Sequence, residues 1–267
     1  MIHVLTVYWK SSFWASVQLK HLASNTSGPM KIWALSDEDT KIENLAGIEV
    51  DITVIGDGGI RSHAEKLNLL ANIVALTCQD DDIIIFLDAD AFPIKPYEDF
   101  VRTKLSDYPL IAVRRDEEQE PIPHPCFCAT TMGFWRQIGG DWRRGPEWVD
   151  RDGYKITDVG ATLHRSLQSA EIDWLPLLRS NARNLHPQFF GLYEDFLYHH
   201  GAGSRKAVSR QEVKHVVHSS WFNALPGVLR ARISSASRAR IEKKNRQLEE
   251  FVRTHVHDAE ELCRLFS

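Results

Sequence analysis

Apolar and polar positions alternate along the chain in short blocks that change period from two to about 3.6 and back. Ile2–Tyr8 is almost wholly apolar and predicts a first strand. Phe13, Val17 and Leu22 recur at helical spacing, so a helix is expected from a cap at Ser11 or Ser12 to about Ala23. Lys31–Leu35 and Ile48–Ile55 predict the next two strands. A helix from Ser62 to about Thr77 follows, with Leu67, Leu70, Val74 and Leu76 on its apolar side and Glu65 in capping-box spacing from Ser62. Ile83–Leu87 is an unbroken, largely β-branched run, the pattern of a strand buried on both faces between helices. Beyond it the pattern loosens. Pro109–Val113 predicts a strand, and Arg114–Pro125 a charged, proline-rich surface loop. Cys126–Trp135 predicts a half-buried strand running into a short helix, Phe134–Ile138. Gly139–Gly153 reads as loop, Asp158–Leu167 as helix, Glu171–Leu178 as strand, Phe189–Tyr198 as strand or short helix, and Ala231–Val252 as helix. Strands alternating with helices predict a doubly wound α/β domain.

Composition narrows this picture. A chain of 267 residues holds one α/β domain, or one domain with an appendage. The expected division is residues 1–210 for the domain and 211–267 for a C-terminal helical appendage that is strongly basic through Arg246. The net charge of −4 argues against nucleic acid as the main partner. The basic tail suits packing on a partner or peripheral contact with an anionic membrane face, while a solvated helix face is the simpler expectation. The four cysteines, Cys78, Cys126, Cys128 and Cys263, form no Cys-x-x-Cys pair, so neither a disulfide framework nor a zinc cluster is expected. No basic segment followed by an apolar core opens the chain, and no apolar run approaches membrane-spanning length. A cytoplasmic protein in a reducing compartment is the expectation.

The chemistry concentrates where the most apolar run ends, at Asp88-Ala89-Asp90. Side chains alternate along a strand, so the two carboxylates point the same way. Like charges on one side repel unless a cation stands between them. A hard divalent ion, Mg²⁺ or Mn²⁺, fits oxygen ligands and keeps positions open for phosphates. Open α/β sheets bind ligands beyond the carboxyl ends of their strands, where this pair falls. The plain alternative is an acidic turn closed by Pro93.

A strand, a helix with His63-Ala64-Glu65-Lys66-Leu67-Asn68, a buried strand and Asp88-Ala89-Asp90 together resemble the nucleotide-sugar half of a GT-A-type glycosyltransferase. His200-Gly201-Ala202-Gly203-Ser204-Arg205-Lys206 resembles the late His-x-x-Gly-x-x-Lys motif of several such enzymes. The resemblance implies a GT-A-like mixed or parallel sheet flanked by helices, and metal-dependent transfer of a sugar from a nucleoside-diphosphate sugar to a carbohydrate or glycolipid acceptor. It implies Mn²⁺ or Mg²⁺ held by Asp88, Asp90 and His200. His199 is the rival ligand, and His200 is preferred because it alone begins the spacing. Lys66, Asn68, Asp88, Gly203, Arg205 and Lys206 are implied to meet the nucleotide or its diphosphate, and Thr6, Tyr8 and Asp57 the base and ribose. An inverting enzyme of this kind needs a base at the start of a downstream helix, which implies Asp158, with Asp150 and Asp152 behind it. The late histidine motif is more typical of retaining members, so the two likenesses imply different stereochemistry. Trp135, Trp142 and Trp148 are candidates to stack on sugars, against core packing as the commoner use. Two other functions share these strings: a haloacid-dehalogenase-like phosphatase with the first aspartate as nucleophile, and a catalytically silent nucleotide-sugar-binding protein.

Overall fold

In the computed structural model, which describes residues 1–42, 49–54, 62–115, 120–149, 153, 155–203 and 227–267, the first strand β1 (Ile2–Tyr8) is wholly buried. It leads into α1 (Ser12–Asn25), whose first turn is capped by Ser11 accepting from the Trp14 N–H. Next come β2 (Met30–Ser36), β3 (Glu49–Val54) and α2 (His63–Val74). The Ser62–Glu65 capping box forms as the spacing predicts, and α2 stops before the expected Thr77. The central strand β4 (Ile83–Asp88) follows, then β5 (Ala91–Pro93), α3 (Glu98–Asp107), β6 (Leu110–Val113), β7 (His124–Thr131) and α4 (Met132–Gln137).

The expected loop over 139–153 carries one strand of a small hairpin, β8 (Trp148–Val149) with β9 (Lys155–Ile156). The chain continues through α5 (Ala161–Ser169), β10 (Leu175–Leu177), β11 (Gly191–Tyr193), β12 (Leu197–His199), α6 (Gly227–Arg253) and α7 (Ala259–Phe266).

The central sheet has seven strands in the order β10-β6-β7-β4-β1-β2-β3. Its pairings are parallel except for those of β7, which runs antiparallel to both β4 and β6. A second, three-stranded antiparallel sheet orders β11-β12-β5. The expected mixed α/β architecture is therefore the observed one. Strand alternation sorts the core onto two faces. Ile2, Val4, Ile83, Ile85 and Leu87 pack with Leu19 and Leu22 of α1, while Leu5, Val7, Ile84 and Phe86 pack with Leu67, Leu70 and Val74 of α2.

Several expectations are corrected. β7 is buried on both faces rather than half-buried, because it lies inside the sheet between β4 and β6. The 114–125 segment is not wholly superficial, since Glu120 and Ile122 are buried. Helix α5 begins at Ala161, after Gly160 at φ 101°, so Asp158 stands outside its first turn. Phe189–Tyr198 spans β11 and the start of β12, joined by a turn with Glu194 and Asp195 at φ 46° and 57°.

The C-terminal helices are seated on the body of the protein. Val252, Val256, Leu262 and Phe266 are buried with Trp14, Val17, Phe92 and Tyr198. His21 Nε2 lies 2.7 Å from the Val256 carbonyl oxygen. The 210/211 boundary lies outside the described residues. No described helix is long and apolar enough to cross a membrane.

Candidate metal and donor site

Asp88 continues the phase of Ile84 and Phe86, so it emerges on the α2 face of the sheet. His63, the first residue of α2, meets it there, its Nε2 2.8 Å from Asp88 Oδ1. The chain then turns through Ala89 and Asp90 into β5, and antiparallel pairing of β5 with β12 sets His199 opposite Ala91. His199 Nε2 lies 3.7 Å from Asp90 Oδ1 and 3.9 Å from Asp88 Oδ2. The three side chains offer ligand atoms that all lie within 4.8 Å of one another. These separations are too long for hydrogen bonds and suit a single ion about 2.0–2.2 Å from each ligand.

The remaining carboxylate oxygens are already engaged. His63 holds Asp88 Oδ1, and the Gly203 N–H donates to Asp90 Oδ2 at 2.8 Å. Each aspartate thus turns one oxygen toward the His199 imidazole. The donor set of two carboxylates and one imidazole fits a divalent cation such as Mn²⁺ or Mg²⁺. Gly203 is required by close approach, since a Cβ there would stand 2.6 Å from Asp90 Cβ and from Trp14 Nε1. Its carbonyl accepts the Trp14 indole N–H at 3.1 Å.

The electrostatics follow the same contacts. Burial alone would raise Asp88, but His63 outweighs it, with His124 and His199 adding, and the carboxyl is held far below the usual range. Burial opposes charge on His63, yet Asp88 raises its pKa, so the two form an ion pair. Burial and then the Arg115 charge push His124 well below its ordinary value. His124 Nδ1 accepts the Cys126 N–H at 3.2 Å, so the neutral ring carries its proton on Nε2. Its ring centroid lies 5.9 Å from that of His199.

Asp158 reaches the edge of this group. Arg115 Nη2 donates to its Oδ2 at 2.9 Å, and the Val159 N–H to its Oδ1 at 2.8 Å. Arg115 also forks onto Glu120 with two contacts of 2.8 Å. Burial opposes ionisation of Asp158, but Arg115 and His124 prevail and its pKa is lowered.

The preference for His200 is not met. Neighbouring residues at a strand end diverge, so one residue of a His-His pair faces Asp90 and the other turns away. The residue that turns away is His200, fully buried with its ring 4.5 Å from Trp14 and its Nδ1 2.9 Å from the Tyr198 hydroxyl. Thr6 and Tyr8 are also misplaced for base and ribose. Both are fully buried on the face covered by α1, and the Tyr8 hydroxyl donates to Gln18 Oε1 at 2.7 Å.

Lys66 is buried with its ammonium 2.9 Å from the centroid of the Trp9 ring. Asn68 ties α2 to the 139–149 segment: its Nδ2 donates to Asp141 Oδ1 at 2.7 Å, and its Oδ1 accepts the Trp142 N–H at 3.0 Å. Trp135 and Trp142 are core residues packed on Phe86. Asp57, Arg205 and Lys206, with Asp150 and Asp152, lie outside the described residues. Sequence reasoning gave no role to His63 or Gln18. The Ser62 cap was a usable signal for His63, because it fixes where α2 begins, at the end of the sheet that carries Asp88.

A second group with ligand-type atoms, His3, Cys78 and Asp82, lies within the same 4.8 Å limit at the opposite end of the sheet. Its imidazole acceptor and both carboxylate oxygens are engaged. The Trp33 indole N–H donates to His3 Nδ1 at 3.0 Å, which leaves the proton of the neutral ring on Nε2. Asp82 accepts from Met1 N at 2.7 Å and from the Gln79 N–H at 2.9 Å. Burial, with Asp82 adding, pushes the Cys78 thiol up to about 11. This group does not fit a metal.

No protein-family model matches this chain, and no curated protein matches it. Among solved structures it is similar to the galactosyltransferase LgtC in complex with donor and acceptor sugar analogs, at 13% identity and TM-score 0.40 over 61% of this chain and 70% of that one. It is similar to the glycosyltransferase GlyE of Streptococcus pneumoniae TIGR4, at 12% identity and TM-score 0.37 over 51% of this chain and 36% of that one. It is also similar to S. aureus TarS, at 10% identity and TM-score 0.36 over 53% of this chain and 50% of that one. At such identities the likeness concerns the fold alone.

Proposed function

We propose that this chain is a divalent-metal-dependent glycosyltransferase that moves a sugar from a nucleoside-diphosphate sugar to a carbohydrate or glycolipid acceptor. One observation carries the proposal. Asp88 Oδ2, Asp90 Oδ1 and His199 Nε2 converge at the carboxyl end of the central strand, while the other carboxylate oxygens are held by His63 and Gly203. Breaking the bond between sugar and diphosphate leaves negative charge on the departing diphosphate. A bound Mn²⁺ or Mg²⁺ supplies Lewis-acid stabilisation of that charge.

Asp88, Asp90 and His199 would hold the ion, and His63 and Gly203 keep the two carboxylates turned toward it. His124 stands beside them as a neutral donor with its proton on Nε2. Arg205 and Lys206 would add positive charge for the diphosphate. Asp158 is the acceptor for the hydroxyl proton in an inverting route. Its pairing with Arg115 keeps it ionised but lowers its basicity. The same contacts weaken the phosphatase alternative, because His63 already holds Asp88 Oδ1 and Oδ2 is turned toward His199.

The test is a panel of nucleoside-diphosphate sugars, with and without Mn²⁺, followed by thermal shift and by release of nucleoside diphosphate. One donor class should raise the melting temperature and be hydrolysed slowly, only with metal. Phosphate release from phosphomonoesters, with no response to any nucleotide sugar, would overturn the proposal.

A further inference from the structure

Gln18 is a fully buried polar residue on α1, between Val17 and Leu19, beneath the turn that carries both aspartates. Burying an amide is unfavourable unless its hydrogen bonds are made. Here all are. Gln18 Nε2 donates to the carbonyl oxygens of Asp88 and Ala91, each at 2.6 Å, and Gln18 Oε1 accepts the Tyr8 hydroxyl at 2.7 Å. The partners set the orientation of the amide, because a flip would turn its oxygen onto two carbonyl oxygens. Burial pushes the Tyr8 phenol far above its ordinary pKa, so Tyr8 keeps the proton it donates. The two carbonyls bracket Ala89 and Asp90, so one side chain ties both ends of the ligand-bearing turn. Four residues earlier on α1, Trp14 holds Gly203, and Gly203 holds Asp90 Oδ2.

We infer that Gln18, oriented by Tyr8, is a positioning residue that fixes the spacing of Asp88 and Asp90 for a divalent cation. The inference rests on the metal reading of that site. Its consequence is that loss of the amide harms metal affinity out of proportion to stability. Gln18→Met keeps the size and removes both donors. Gln18→Glu keeps the shape and cannot donate when ionised. Tyr8→Phe removes only the group that orients the amide. Val101→Ala, in the buried core on α3, which packs on β6 and β7, serves as a control for destabilisation.

Mn²⁺ binding to the full chain is followed by the electron paramagnetic resonance signal of the free ion, beside thermal melts. Both Gln18 variants should bind Mn²⁺ about 10- to 100-fold more weakly, the range seen for groups that orient metal ligands. Tyr8→Phe should show a smaller loss, and Val101→Ala should bind as the parent does at an equal or greater loss of melting temperature. Parent-like binding by the Gln18 variants, or an equal loss in Val101→Ala, would overturn the inference alone. A parent protein that binds no Mn²⁺ would overturn the metal reading and the inference with it. Should the Gln18 variants fail to fold, Tyr8→Phe decides: unchanged affinity there overturns the inference.

Discussion

At one end of the central sheet, His3, Cys78 and Asp82 lie close together; at the other, Asp88, Asp90 and His199 do. The two groups are alike in size and in carrying ligand-type atoms. They differ in what their lone pairs are doing. The Trp33 indole occupies His3 Nδ1, and N–H groups of Met1 and Gln79 occupy both oxygens of Asp82. At the other end, the held oxygens are the ones that face away from His199, and one oxygen of each aspartate faces it. On the proposed reading, proximity of carboxylate and imidazole is not enough to make a metal site. What matters is whether the hydrogen bonds around the cluster consume the ligand atoms or aim them.

The sharpest way to break this comparison is to remove one acid from each end. Asp90→Asn should lower Mn²⁺ affinity and metal-dependent turnover by about 10²- to 10³-fold, with the melting temperature little changed. Asp82→Asn should leave Mn²⁺ binding untouched and cost about 1–3 kcal/mol of stability in denaturant titrations, because it weakens charge-assisted hydrogen bonds. Equal loss of Mn²⁺ binding in the two variants would erase the distinction between the ends.

The adjacent histidines offer a finer version. His199→Gln should lose Mn²⁺ binding with its fold intact. His200→Gln should retain binding and be destabilised by about 1–3 kcal/mol, since His200 packs on Trp14 and bonds Tyr198. Mn²⁺ titration beside urea unfolding separates the two, and the reverse pattern would return the ligand role to His200.

This pair also marks where the sequence was readable and where it was not. The order of strands and helices, the Ser62 cap and the Asp-x-Asp at the end of β4 follow from periodicity and local chemistry, and the structure has them. The choice between His199 and His200 depends on which strand pairs with β5, a contact that joins segments about a hundred residues apart and leaves no local trace. Thr6 and Tyr8 show a related limit: they stand near a strand end, but which face α1 covers is not written in the strand itself. Gln18 looked like an ordinary polar residue on a helix, and only the turn above it explains its burial.

Asn68 gives a smaller effect. Asn68→Ala should cost about 1–3 kcal/mol, since it removes a bond to Asp141 and leaves the Trp142 N–H without its acceptor. The KM for the donor should stay within about twofold, because both ends of the amide are engaged within the fold. A large rise in KM at unchanged stability would restore the nucleotide contact expected from the sequence.

The smallest effect concerns pH. Burial lowers the pKa of His21 from 6.5, although its bond to the Val256 carbonyl opposes the shift. The unfolded chain takes up a proton on this residue before the folded one does. Its contribution to stability is full above about 6.5 and is lost as pH falls toward the folded value. His3, His124, His164 and His200 are lowered in the same direction. His63 is raised, so its contribution is full below about 6.5 and is lost as pH rises through its folded value. Melting temperatures should therefore fall from pH 7 to pH 5, and His21→Gln should flatten part of that slope. A protein that gains stability on acidification would contradict the assignment of neutral buried histidines.

The most direct test of the difference between the two ends is a crystal grown with Mn²⁺ and measured for anomalous scattering. One strong peak is expected among Asp88 Oδ2, Asp90 Oδ1 and His199 Nε2, and none beside His3, Cys78 and Asp82. A peak at the second group, or an empty first site at a saturating concentration of Mn²⁺, would overturn the proposed metal site.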